Sequence, residues 1–106
     1  MMHTRRAHER EPAPSPDGSY RAVTLINRGP LGIVVWAGAL APAAAGKADE
    51  DIEAADYHSR MAVSFMSWRD VLDYFQASPF APLIERAMAR SRRADAAALP
   101  PDRDAG

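Results

Sequence analysis

Four arginines late in the chain form its most distinctive group of charged side chains. Arg86, Arg90 and Arg93 are spaced i, i+4 and i+7, so they share one helix face, and Arg92 lies beside them. Residues 79–93 set these four cations against one carboxylate, a net charge of +3. Such a stripe can bind nucleic-acid phosphates, but cations near the C-terminal end of a helix also complement the helix dipole. We prefer the dipole explanation, because the whole chain carries a net charge of −1.

A second charged group lies in the middle of the chain and has the opposite sign. Residues 47–56 hold five carboxylates and one lysine, a net charge of −4, and Asp49, Glu50 and Asp51 are consecutive. We expect either a solvated acidic face for a basic partner, or a pairing of this segment with the arginines of residues 79–93. That pairing can form within one chain or across a dimer.

No set of residues has the spacing of a known catalytic or metal centre. His3, His8 and His58 do not show the spacing of paired metal ligands, and there is no nucleophile elbow, P-loop or dinucleotide fingerprint. The alternating acids from Asp49 resemble the start of a calcium loop, but Ala54 stands where that loop needs glycine. We therefore expect a protein that is not an enzyme and has no metal or cofactor.

Two aromatic residues fall outside the pattern that predicts the core. Tyr74 lies beside the apolar stripe of a predicted helix, and Phe80 lies between two prolines in the turn that follows. Aromatic side chains are enriched at protein interfaces. With the charged groups, they make up the predicted partner-binding residues: Tyr74, Phe80, Arg86, Arg90, Arg93, Asp49, Glu50 and Asp51.

Two helices are predicted to position these residues. Ser67 is the expected N-cap of the first helix, and its apolar stripe consists of Trp68, Val71, Leu72 and Phe75. The residue before proline resists the helical conformation, so the first helix should end at Ser78-Pro79. The second helix should start near Pro82 and bury Leu83, Ile84, Ala87 and Met88.

The segment before the helices predicts a small antiparallel sheet. Residues 20–27 and 33–36 are rich in β-branched and aromatic residues and flank a Gly-Pro break, which indicates a β-hairpin. Residues 37–46 are expected to form a loop, and residues 48–55 a helical turn or two. A third strand starts at Tyr57 and places one face inward, consisting of Tyr57, Met61, Val63 and Phe65. The predicted fold class is α+β, a sheet covered by two C-terminal helices.

Composition limits the chain to one small domain. Among 106 residues, 1–19 and 94–106 are poor in large apolar side chains and are predicted to be disordered tails around a domain of residues 20–93. Such a domain is marginally stable alone, and without cysteine it has no disulfide. Residues 30–46 carry no charge, yet they are too short and too rich in Gly and Pro for a membrane span. We expect a cytoplasmic protein without a membrane segment.

These features favour a small protein–protein interaction module: an accessory, adaptor or inhibitor protein that docks on another protein or on itself as a homo-oligomer. The alternative is a nucleic-acid-binding regulator that uses the Arg-rich second helix. Salt dependence separates the two, because phosphate binding weakens steeply as salt rises.

Overall fold

The computed structural model describes residues 4–98, and for residues 95–98 it describes the backbone alone. Four strands come first along the chain: β1 (Arg5–Arg10), β2 (Tyr20–Asn27), β3 (Ile33–Leu40) and β4 (Tyr57–Phe65). Two helices follow them, α1 (Trp68–Phe75) and α2 (Ala81–Ala98). This arrangement confirms the α+β fold class predicted from the sequence.

The strands form one antiparallel sheet in the order of the chain, β1-β2-β3-β4. The predicted hairpin joins β2 to β3 and pairs Asn27 with Ile33 at its closed end. β3 continues through residues that we expected to form a loop and ends at Leu40. Small residues permit this extension, since a side chain at Gly38 would collide with the backbone carbonyl of Ser59 on β4.

β1 is a strand that the sequence analysis did not predict. We expected residues 1–19 to be disordered, and this is wrong for residues 5–10, which pair with β2. The strand has little apolar character, with Ala7 as its one buried apolar side chain. It forms because β2 offers an open ladder and α2 covers Ala7 from above. Residues 1–3 lie outside the described part of the chain.

The two helices begin where the sequence predicts. The Ser67 side chain accepts a hydrogen bond from the Asp70 backbone N–H at 3.1 Å, which caps α1. Val71 and Phe75 of the predicted stripe are buried, as are all four predicted residues of α2. α2 continues to Ala98, so the expected disorder is wrong for residues 94–98; residues 99–106 lie outside the described part.

The face of the sheet opposite the helices is covered by the segment between β3 and β4. This segment contains three 3₁₀ turns, Pro42–Ala44, Asp49–Asp51 and Ala54–Asp56. Its buried residues form a second small core together with residues of the sheet: Ala22, Leu40, Ala44, Ile52 and Tyr57. β2 is therefore covered on both faces, in agreement with its apolar residues on both sides.

The face predicted for Tyr57, at the start of β4, is wrong. We expected it to point the same way as Met61, Val63 and Phe65, which requires unbroken alternation. The register shifts at this point, so that Leu40 pairs with Tyr57 while Ala39 pairs with Ser59. The extra residue of this β-bulge turns the Tyr57 ring to the opposite face, beside Leu40 in the second core.

Candidate functional site

An ion-pair cluster joins α2 to β1 and to the turn Asp49–Asp51. Glu9 accepts a hydrogen bond from Arg86 Nε at 2.8 Å, and its other oxygen lies 3.2 Å from Arg90 Nε. Arg90 Nη1 also lies 2.6 Å from Asp49 Oδ2. The i, i+4 spacing of the two arginines lets one buried carboxylate bind both. The pairing of the acidic segment with α2, one of the two arrangements that the sequence left open, is therefore present within one chain.

Arg90 is held by three contacts. Besides Glu9 and Asp49, its Nη1 donates to the backbone carbonyl of His8 at 3.0 Å. The hydrogen bond to Asp49 raises the pKa of Arg90 above its usual value. The Arg90 side chain is 44% exposed, so each of its ion pairs is worth at most about 1 kcal/mol. Its main effect is to fix α2 against β1.

An open crevice of about 770 Å³ lies beside this cluster. Three carboxylates, Glu9, Glu11 and Asp49, line it together with three guanidiniums, Arg10, Arg86 and Arg90. Because these charges balance, the crevice offers no excess of either sign to attract a charged ligand. Most of these charges are already paired, Glu9 and Asp49 with arginines that line the crevice and Glu11 with Arg21 beside it.

The remaining predicted site residues are not brought together. Glu50, Asp51 and Arg93 are exposed and make no ion pair with any side chain that the structure describes. Phe80 is half-buried against the main core, with the Arg21 guanidinium 5.9 Å from its ring. Tyr74 is 55% exposed and lies elsewhere, against Phe65 at the end of β4.

An exposed apolar area, here called the end patch, surrounds Tyr74. It consists of Leu31, Met66 and Tyr74, which are 65%, 74% and 55% exposed. The Met66 sulfur lies near Gly32, the residue after Leu31, and the Tyr74 ring is 5.4 Å from the ring of Phe65. The three side chains therefore share the end of the sheet where β3 begins and β4 ends. Exposed apolar side chains that are grouped at one end of a sheet, and not scattered singly, indicate an interaction surface.

β4 continues this surface along the open edge of the sheet. Its residues 58–62 and 64 are exposed, and Met61 is 41% exposed although the sequence predicted it to point inward. Met61 is exposed because α2 packs over β1 and β2, near the opposite edge of the sheet, and does not cover β4. The sequence analysis missed this surface, because the residues of β4 do not show which strands the helices cover.

The two edges of the sheet differ. β1 is short, carries four charged residues, and has the turn Asp49–Asp51 against it. β4 has nine residues, with Arg60 as its one permanently charged side chain and no proline. Charge, shortness and coverage are the usual protections of an edge strand. β1 has all three. Of these protections β4 has only the charge of Arg60, together with the β-bulge at its start.

A buried chain of three polar side chains crosses β1, β2 and β4. His8 Nδ1 lies 3.0 Å from Thr24 Oγ1, which lies 2.6 Å from the Tyr57 hydroxyl. Burial lowers the pKa of His8 and raises the pKa of Tyr57 to about 12, so both are neutral at pH 7. The sequence analysis placed His8 in a disordered tail and missed this group entirely.

Comparison with known proteins gives no relative: the chain matches no protein-family model, no curated protein and no solved structure. Across residues 4–98, no helix has both the length and the apolar character needed to cross a membrane. The same stretch contains no group of three or more His, Asp or Glu side chains that could hold a metal ion.

Proposed function

We propose that this chain is a small non-catalytic interaction module that binds another protein chain through the β4 edge and the end patch. The observation that carries the proposal is the open edge: within residues 4–98, the nine-residue strand β4 pairs on one side only, with β3. An unpaired edge presents a row of backbone N–H and C=O groups that can take up a further strand. The exposed side chains of Met61 and the end patch add apolar contact area beside that row.

A catalytic role has little support in the geometry. The buried His8, Thr24 and Tyr57 have the chemical types of a proton-transfer chain, but Thr24 at its centre is fully buried. A substrate would have to reach this hydroxyl through the packed second core. We interpret the three side chains as a structural hydrogen-bond network.

Binding of nucleic acid through α2 is the weaker alternative. Arg86 and Arg90 are paired with Glu9 and Asp49, so half of the predicted basic cluster is already neutralised within the chain. That leaves Arg92 and Arg93 exposed, and two cations release few counterions from a phosphate backbone.

We place this module in the cytoplasm on the strength of the sequence. Small secreted domains depend on disulfides for stability, and this chain contains no cysteine.

Site-specific photo-crosslinking in the native cell tests the proposed surface. A photoreactive residue replaces Met61 or Met66, and the matched control replaces Ala43. Ala43 is also exposed, but it lies in the turn Pro42–Ala44, which follows the end of β3 remote from the end patch. We expect covalent protein adducts from the first two positions and none from the third. Equal labelling at all three positions, or none at Met61 and Met66, would contradict the proposal.

A further inference from the structure

The free backbone groups of β4 can be assigned from the ladder pattern. The Arg28 N–H donates to the Gly32 carbonyl at the closed end of the β2–β3 hairpin. Bonded pairs alternate along an antiparallel ladder, so even-numbered residues of β3 bond to β2 and odd-numbered residues bond to β4. Their partners in β4 are odd-numbered as well. Arg60, Ala62 and Ser64 therefore direct their N–H and C=O groups away from the sheet.

The regular part of β4 has a central residue about which a second copy can pair. Pairing with β3 is uninterrupted from Ser59 to Phe65, beyond the bulge, and the middle of that segment is Ala62. A second copy that pairs antiparallel with full overlap of this segment places Ala62 opposite Ala62. It also places Arg60 opposite Ser64, so all the outward-facing residues form bonded pairs.

The side chains suit this self-pairing on both faces. On the helix-covered face, half-exposed Met61 meets Val63 of the second copy, which extends apolar contact across the junction. On the other face, the two alanines at the centre leave room for close approach. No like charges oppose each other, because Arg60 faces serine and its guanidinium is held 5.1 Å from the Trp36 ring of its own sheet.

We propose that the chain forms a two-fold symmetric homodimer in which the β4 strands pair about Ala62 and join the two sheets into one. This inference rests on the proposed function and names its partner as a second copy of the chain. The pairing uses the same patch on both subunits, as a two-fold interface requires. It also brings Met66 of the end patch next to His58 of the second copy, where its exposed side chain gains a neighbour.

A charge-swap experiment tests the register. Analytical ultracentrifugation of the wild-type chain at micromolar concentrations should give a dimer. Ala62→Asp and Ala62→Lys each place like charges opposite one another, so each variant alone should be monomeric. An equimolar mixture of the two should form a heterodimer, because the opposed charges are now opposite in sign. Ala43→Asp and Ala43→Lys, at an exposed alanine outside the interface, should both remain dimeric.

Several outcomes would overturn the homodimer. These are a wild-type chain that stays monomeric, Ala62 variants that each still dimerise, or a mixture that stays monomeric while circular dichroism shows both variants folded. The crosslinks from Met61 separate this failure from a failure of the proposed function. A monomeric wild type whose crosslinks reach a different protein refutes self-pairing and leaves the interaction module standing; a monomer without crosslinks refutes both.

Discussion

Thr24→Val removes the centre of the buried polar network with almost no change in shape. Thr24 is fully buried and its hydroxyl bonds both His8 Nδ1, at 3.0 Å, and the Tyr57 hydroxyl, at 2.6 Å. The substitution leaves two buried polar groups unpaired, each at a cost of about 1–3 kcal/mol. The added methyl group returns about 1 kcal/mol. The net loss lies between about 1 and 5 kcal/mol, and we expect the free energy of unfolding to fall by about 3 kcal/mol, the middle of that range.

Urea denaturation and thermal melting followed by circular dichroism measure this loss. For a domain of this size it corresponds to a fall in Tm of roughly 10–20 °C. Tyr57→Phe in the Thr24→Val background removes one of the two orphaned groups, so the double variant should cost less than the sum of the single variants, by about 1 kcal/mol. Unchanged stability in Thr24→Val, or strict additivity in the double variant, would show that the network does not stabilise the fold.

Two further predictions concern charged and titratable groups. Because burial lowers the folded-state pKa of His8 below its usual 6.5, the folded protein binds fewer protons than the unfolded chain in mild acid. The stability due to neutral His8 is complete above about pH 6.5 and is lost as the pH falls from there through the folded-state pKa. Urea melts of the wild-type chain from pH 7 to pH 5 should therefore show a falling free energy of unfolding, and His8→Gln should remove the part of that fall that is due to His8. Asp49→Lys and Arg90→Glu should each cost at most about 1 kcal/mol beyond any effect on Glu9, since their pair is partly exposed. The double reversal should restore part of the loss at low salt, and the absence of any rescue would mean that the 2.6 Å contact contributes nothing measurable.

The parts of the fold that the sequence predicts well are those with a periodic apolar pattern. The buried faces of both helices follow from hydrophobic spacing, because each helix buries one face in the main core. The hairpin of β2 and β3 follows from two β-rich runs around a Gly-Pro break, and the cap at Ser67 follows from a hydroxyl residue placed before the apolar stripe. The charge segregation between residues 47–56 and 79–93 left the contact of Asp49 with Arg90 open as one of two arrangements, and the structure contains it. In each case the signal lies within a few neighbouring residues.

The parts that it misses depend on the sheet as a whole. β1 has too few apolar residues to be recognised, yet the turn that precedes β2 carried a usable signal. Asp17 accepts hydrogen bonds from the backbone N–H and the hydroxyl of Ser19, and Gly18 has a φ of 86°. A Pro-Asp-Gly sequence before a strong strand indicates a hairpin, and hence a strand on its other side. The open edge of β4 has no local signal, since it results from where the helices lie.

The bond between Glu9 and Arg86 spans 77 residues of sequence, and this separation bears on how the chain is made. Each strand of the sheet pairs with its neighbour in chain order, so these contacts span much shorter stretches of chain and form faster. The α2 helix must instead return to the first strand, and this is the step with the largest loop-closure entropy. During synthesis the four strands leave the ribosome before α2, with the apolar face of β2 uncovered. The Glu9–Arg86 contact thus forms late, when translation has delivered the last helix.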